Sequence, residues 1–211
     1  MNSKKNIFFT SDWHIGHVNS IEFDNRPFKD IDHMHEVLIN NFNSSVREQD
    51  VTYFLGDMGL TNGDAIQKVV SRLNGTKVAV IGNHDKGPNS LYNMGFDVVL
   101  YGGVLYIAQE RVTFSHCPLM GVWRENTMDM KGAAIGEYWH GESREKSKWF
   151  SFEDEGQFHL HGHIHSRKDR DRSKKIQGRQ IDVGVPANNY RPVSMSSLES
   201  LICRIKREEG E

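Results

Sequence analysis

Cysteine is nearly missing from this chain. Cys117 and Cys203 are its only two, far apart and in no Cys-x-x-Cys pair. That excludes a disulfide framework and makes a reducing cytoplasm the expected setting. Long apolar runs are missing too. No stretch reaches the ~18 residues that a membrane-spanning helix needs, so no membrane partner is expected. The first six residues are polar, and no apolar core or cleavage site of a signal peptide follows them. The net charge of -2 gives no global attraction to nucleic acid or to a membrane surface. Internal repeats and low-complexity linkers are absent as well. What is left is a globular chain, 37% hydrophobic and 26% charged, read as a single domain over residues 1–211.

Histidine, by contrast, is plentiful: there are 11. It is the commonest metal ligand and the commonest acid/base side chain, so its placement matters. The stretch Asn6–Ser11 reads as a β-run ending at Asp12. The segment from Trp13 to Phe28 reads as loop. A helix capped by Asp30 or Asp32 is predicted through about Val46, and Val51–Leu55 is a second buried strand ending at Gly56-Asp57. A second helix is predicted from about Gly63 to Leu73, followed by a third strand, Lys77–Ile81, and then Gly82-Asn83-His84-Asp85. This β-α-β-α-β order makes the three strands parallel. Closely spaced runs at Val98–Tyr101, Val104–Gln109 and Arg111–Ser115 suggest antiparallel pairing afterwards. Further short strands are read at Gln157–Leu160 and Gln180–Val185. Ser197–Arg207 fits either a terminal helix or a last strand.

The chemistry-bearing residues collect just past strand ends. Asp12 and His14 follow the first strand, Asp57 the second, and Asn83, His84 and Asp85 the third. His116 follows a later strand, and His163 and His165 follow Gln157–Leu160. These oxygen and nitrogen donors suit Mn²⁺, Fe or Zn²⁺ better than a closed structural zinc site. They are too many for one ion; a pair ~3.5–4 Å apart, sharing a carboxylate, would use them all. In an extended segment residues i and i+2 share a face, so Asp12 with His14, and His163 with His165, are each expected to reach one side of a site.

The series Asp12-x-His14, Gly56-Asp57, Gly82-Asn83-His84-Asp85, His116 and Gly162-His163-x-His165 resembles the calcineurin-like metallophosphoesterase superfamily. All five blocks occur in order over residues 12 to 165. The resemblance implies an α/β (α+β) fold, a β-sandwich of two mixed sheets flanked by helices. It implies two divalent cations, Mn²⁺ favoured, with Fe, Zn²⁺ or Ni²⁺ as alternatives. Asp12, His14, Asp57 and His165 would hold one; Asp57, Asn83, His116 and His163 would hold the other, with Asp57 bridging. His84 would stay off the metals to face the leaving group, and Asp85 would orient it. The implied reaction is hydrolysis of a phosphomonoester or phosphodiester by a metal-bridging hydroxide that attacks phosphorus in line.

Within the superfamily the chain looks like a small bacterial or phage-type branch. The likeness lies in Ser11-Asp12-x-His14-x-Gly16-His17-x-Asn19 near the start and Asn189-Tyr190-Arg191-Pro192 near the end. It departs from the expected pattern at Pro186, where an acidic residue would be usual. His17, Arg26, Asn189 and Arg191 are candidate substrate contacts. The favoured partner is a small phosphorylated or nucleotide-like compound. A nuclease or cyclic-nucleotide phosphodiesterase, a protein phosphatase and a non-catalytic interaction scaffold are the rival readings. The polar, aromatic stretch at about 119–155, with Trp123, Tyr138, Trp139 and Trp149, reads as a lid or an insertion. Arg167–Lys175, with six basic and two acidic residues, reads as a hairpin tip or as a patch for polyanions, nucleic acid included.

Overall fold

The computed structural model describes residues 5–119, 152–167 and 179–210. Strand β1 (Ile7–Thr10) shows why its sequence is a continuous apolar run. Side chains alternate across a strand, yet Phe8 and Phe9 are both buried, in different clusters on its two sides. Strands β2 (Val51–Leu55) and β3 (Thr76–Val80) repeat the pattern, with Phe54 and Ala79 on one side and Leu55 and Val80 on the other. A sheet covered on both faces has no polar alternation to show.

Helix α1 (Asn19–Phe23) is a short turn inside the stretch read from sequence as loop. Helix α2 (Ile31–Asn43) starts at Asp30, whose side chain accepts from the His33 N–H at 2.7 Å. Its buried face is Met34, Leu38, Ile39 and Phe42. Helix α3 (Gly63–Val70) is capped by Asn62 and buries Ile66, Val69 and Val70. Helix α4 (Pro88–Asn93) follows β3 and leads to β4 (Val98–Leu100). The sequence suggested antiparallel pairing for this last run, but β4 lies parallel to β3. The cause is α4, which carries the chain back over the sheet as a crossover.

Strands β5 (Gly103–Ile107) and β6 (Glu110–Phe114) form the one antiparallel hairpin among these runs, turned by Ala108 and Gln109, both at positive φ. Strand β7 (Phe158–His161) then pairs parallel to β6, and β8 (Gln180–Asp182) parallel to β7. Strand β9 (Val193–Ser194) runs antiparallel to β1, and helix α5 (Met195–Glu209) follows it, so the end of the chain is helical. Among the described residues the result is an α/β arrangement of two mixed sheets with helices, ordered β4-β3-β2-β1-β9 and β5-β6-β7-β8.

The two sheets share a core. Phe9, Leu55 and Val80 meet Ile107, Val112, Phe114, Phe158 and Leu160, and the Tyr53 and Phe114 rings sit 5.3 Å apart. The other face of the first sheet packs on α2, α3 and α4. Phe42 is fully buried there, 5.7 Å from the Trp13 ring and 5.6 Å from Phe54. Phe42→Ala is expected to lower unfolding free energy by about 3–5 kcal/mol in urea titration. Because Trp13 sits between Asp12 and His14, the same change is expected to loosen the loop that carries them.

Candidate metal centre

The carboxyl ends of β1, β2 and β3 meet those of β6 and β7, and the polar blocks sit at that junction. The first sheet presents Asp12, His14, Asp57, Asn83 and His84; the second presents His116, His163 and His165. The backbone there is unusual. Asp12, His14, Asp57, His163 and His165 all adopt positive φ, between 47° and 70°. Non-glycine residues pay strain for that conformation, and it clusters where function over-determines the fold. The expected i, i+2 logic of an extended segment is therefore replaced by left-handed kinks. The His163/His165 pair in fact divides between two groups.

In the first group, ligand atoms of Asp12, His14 and His165 lie within 4.8 Å of one another; in the second, those of Asp57, His116 and His163 do the same. His14 Nε2 and His165 Nε2 are 2.9 Å apart, and His165 Nε2 is 3.4 Å from Asp12 Oδ1. His163 Nδ1 and His116 Nε2 are 3.0 Å apart, with Asn83 Oδ1 2.9 Å from the same His116 nitrogen. Asp57 Oδ2 faces both groups, 3.4 Å from His116 Nε2 and 4.0 Å from His14 Nε2. Glycine makes the approach possible at two points. A Cβ on Gly162 would land on Ser11 Oγ and the Asp12 carboxylate, and one on Gly82 on the Asp57 carboxylate.

The electrostatics describe a site short of positive charge. Burial opposes ionisation of Asp12 and Asp57, yet the neighbouring histidines, His165 for the first and His116 for the second, hold both well below the usual carboxylate range. Burial would likewise lower the two histidines. Asp57 nevertheless lifts His116 to about 9, and Asp12 and Asp24 lift His165 to about 10. Burial wins at His14, lowered to about 3, and at His163, lowered well below its ordinary value. Each group thus contains one histidine whose proton affinity is raised by a facing carboxylate, and a cation bound there would compete with that proton. Converging imidazole and carboxylate atoms of this kind fit divalent metal ions.

Full-length comparison adds the relatives. No family model matches the chain. The gene 66 protein of Mycobacterium phage L5 is 31% identical over 214 residues, covering 97% of this chain and 98% of that protein. The chain belongs to the gene 66 protein family. An uncharacterized protein of Methanocaldococcus jannaschii is 29% identical over 95% of this chain and 93% of its own length. The solved structure of a protein of unknown function from Aquifex aeolicus shares the fold. Its TM-score is 0.66 at 23% identity, covering 94% of this chain and 100% of that one.

In this member of the family, several side chains work differently from their sequence expectation. Asp85 does not hold the His84 ring. Its carboxylate accepts from the backbone N–H groups of Gly82 at 2.8 Å, Asp57 at 3.1 Å and Met58 at 3.3 Å, and so braces the ends of β2 and β3. Arg26 is buried and turned inward, donating to the carbonyls of Asp12 and Trp13, both at 3.1 Å, and to Asp24. It steadies the Asp12 loop instead of reaching out for a phosphate. Arg191 donates to Ser44 Oγ beside α2, and Asn189 is exposed on the same turn. His17 stays close: its ring lies 5.7 Å from that of His14, and its Nδ1 is buried with no partner among the described residues. His84 is exposed outside both groups, its ring 6.2 Å from His14, and its N–H donates to Asp57 Oδ1. Residues 120–151, with the aromatic stretch, and 168–175 of the basic run lie outside the described residues.

Two contributors escaped sequence reasoning. Asp24 accepts from His165 Nδ1 at 2.8 Å, which leaves Nε2 of that ring facing the first group. The Asp24-x-Arg26 pair was its only signal. Asp182 accepts from Gly184 N–H at 2.7 Å and Ser166 N–H at 3.2 Å, tying β8 to the His165 loop. It was hidden inside the apolar run Ile181-Asp182-Val183. His116 has a similar fixed tautomer: Nδ1 donates to the Leu55 carbonyl at 2.7 Å, so Nε2 faces the second group. Asp24→Asn is expected to weaken Mn²⁺ binding by about 10–100-fold in isothermal titration, as loss of such an orienting partner does elsewhere.

Proposed function

We propose that the chain is a phosphoesterase dependent on two divalent cations, hydrolysing a phosphomonoester or phosphodiester. The observation that carries this reading is the pair of His/Asp groups with Asp57 Oδ2 facing both. Asp12, His14 and His165 would hold one cation and Asn83, His116 and His163 the other, with Asp57 between them. When bound, such a pair supplies Lewis acidity and makes water a stronger nucleophile near neutral pH.

The chain's own residues do the rest. Asp24 and the Leu55 carbonyl fix the rings of His165 and His116, so no reorganisation is needed during reaction. Arg26 and Asp85 hold the loops beneath the ligands. His84 is left free to hydrogen-bond the phosphoryl group or to give a proton to the departing oxygen. Mn²⁺ is favoured, and a small or nucleotide-like substrate fits a site at the junction of two sheets.

The test is release of p-nitrophenolate from bis-p-nitrophenyl phosphate or p-nitrophenyl phosphate by the full chain with Mn²⁺. Activity is expected to stop on chelation and return when Mn²⁺ is restored. Protein that binds metal yet cleaves neither ester would move the reading to a non-catalytic scaffold.

A further inference from the structure

A cavity of about 430 Å³ opens between the Gly59–Asn62 loop and the His84–Lys86 turn, with Met94 lining it as well. That volume lies in the range of small-molecule sites. Both walls are firmly held. The Leu60 N–H donates to the Ile15 carbonyl at 3.2 Å, and Gly59 pairs with Ile15, so one wall is fastened to the segment that carries Asp12 and His14. Asp85 fastens the other wall through its three backbone N–H contacts. His84 stands on the border, lining the cavity while its ring lies 6.2 Å from that of His14.

The lining chemistry is selective. Leu60 and Met94 offer apolar surface, and Leu60 is 42% exposed, open to a ligand. Lys86 is exposed and makes no ion pair among the described residues. The one carboxylate in the lining, Asp85, accepts from three backbone N–H groups and makes no ion pair with Lys86. A mixed wall, apolar at Leu60 and Met94 and polar at Thr61 and Asn62, beside an available ammonium fits an organic body that carries a negative charge.

We propose that this cavity receives the leaving group of the substrate and prefers one with an apolar body and a second negative charge, paired with Lys86. The inference rests on the phosphoesterase reading above. In the reaction, a water gives up one proton to solvent and its oxygen forms a bond to phosphorus. The bond from phosphorus to the leaving oxygen breaks, its electron pair stays on that oxygen, and a proton delivered from His84 completes the alcohol.

The test compares two chromogenic diesters with the full chain and Mn²⁺: methyl p-nitrophenyl phosphate and its analogue with a carboxylate on the aryl ring. The wild-type chain is expected to favour the carboxylated ester in kcat/KM by about fivefold, the scale of an exposed charge pair. Lys86→Met is expected to erase that ratio, and Leu60→Asp, which adds an anion on the same wall, to invert it. Hydrolysis of both esters with a ratio unchanged by either substitution overturns the proposal and leaves the phosphoesterase reading standing. Hydrolysis of neither ester by the wild-type chain overturns both.

Discussion

Asp57→Asn is expected to reduce hydrolysis of bis-p-nitrophenyl phosphate by about a thousandfold or more and to strip the protein of at least one of its cations. Size is not the reason, since asparagine fills the same space. Asp57 is the carboxylate that both His/Asp groups face, with Oδ2 3.4 Å from His116 Nε2 and 4.0 Å from His14 Nε2. It is also the charge that lifts His116 to about 9 against the effect of burial. An amide has no net charge to attract a cation and presents a donor where an acceptor is needed. The measurement is metal content by mass spectrometry after gel filtration, alongside kcat/KM at saturating Mn²⁺. The fold is expected to survive, because the Asp57 N–H still reaches Asp85 and Oδ1 can still accept from the His84 N–H. A variant that keeps a full complement of metal would show that Asp57 is not shared between the two groups.

The convergence of the two His/Asp groups was legible in the sequence for a simple reason: each polar block directly follows an apolar run, and such runs become strands whose ends converge. What the sequence concealed was the geometry that makes the convergence work. Asp12, His14, Asp57, His163 and His165 lie in the left-handed region, a conformation that no hydrophobic period reports. Extended geometry would have sent His163 and His165 to the same side; the kinks deliver them to different groups. One pairing was misread for a related reason. Close spacing favours hairpins, and β5 with β6 is one, but β4 joins the first sheet parallel to β3 through the α4 crossover, and the partners of β7 and β8 leave no periodic trace. Asp85 shows a further limit. The family resemblance implied that it orients the His84 ring, whereas the carboxylate completes the backbone accounting of two strand ends. Arg26 follows the same rule, satisfying the carbonyls behind Asp12.

His84→Ala separates a catalyst from a metal-binding scaffold. Both cations are expected to remain, since His84 lies outside both ligand groups, and its backbone N–H contact to Asp57 survives the substitution. Turnover is expected to fall by about 10²–10⁴-fold, the usual share of a positioned acid or hydrogen-bond donor. The size of the loss should depend on the leaving group. p-Nitrophenolate leaves readily without a proton, so the variant should lose least on its esters. An alkyl alkoxide is a far stronger base, so the same variant should lose most on an alkyl phosphate diester, followed by release of the alcohol. That gradient is the signature of a proton delivered to the departing oxygen. An equal loss on aryl and alkyl esters would instead place the contribution of His84 on the phosphoryl oxygens, where the charge grows whatever group departs. Loss of metal in this variant would return the imidazole to the ligand set and leave the wall of the adjoining cavity without its catalytic neighbour.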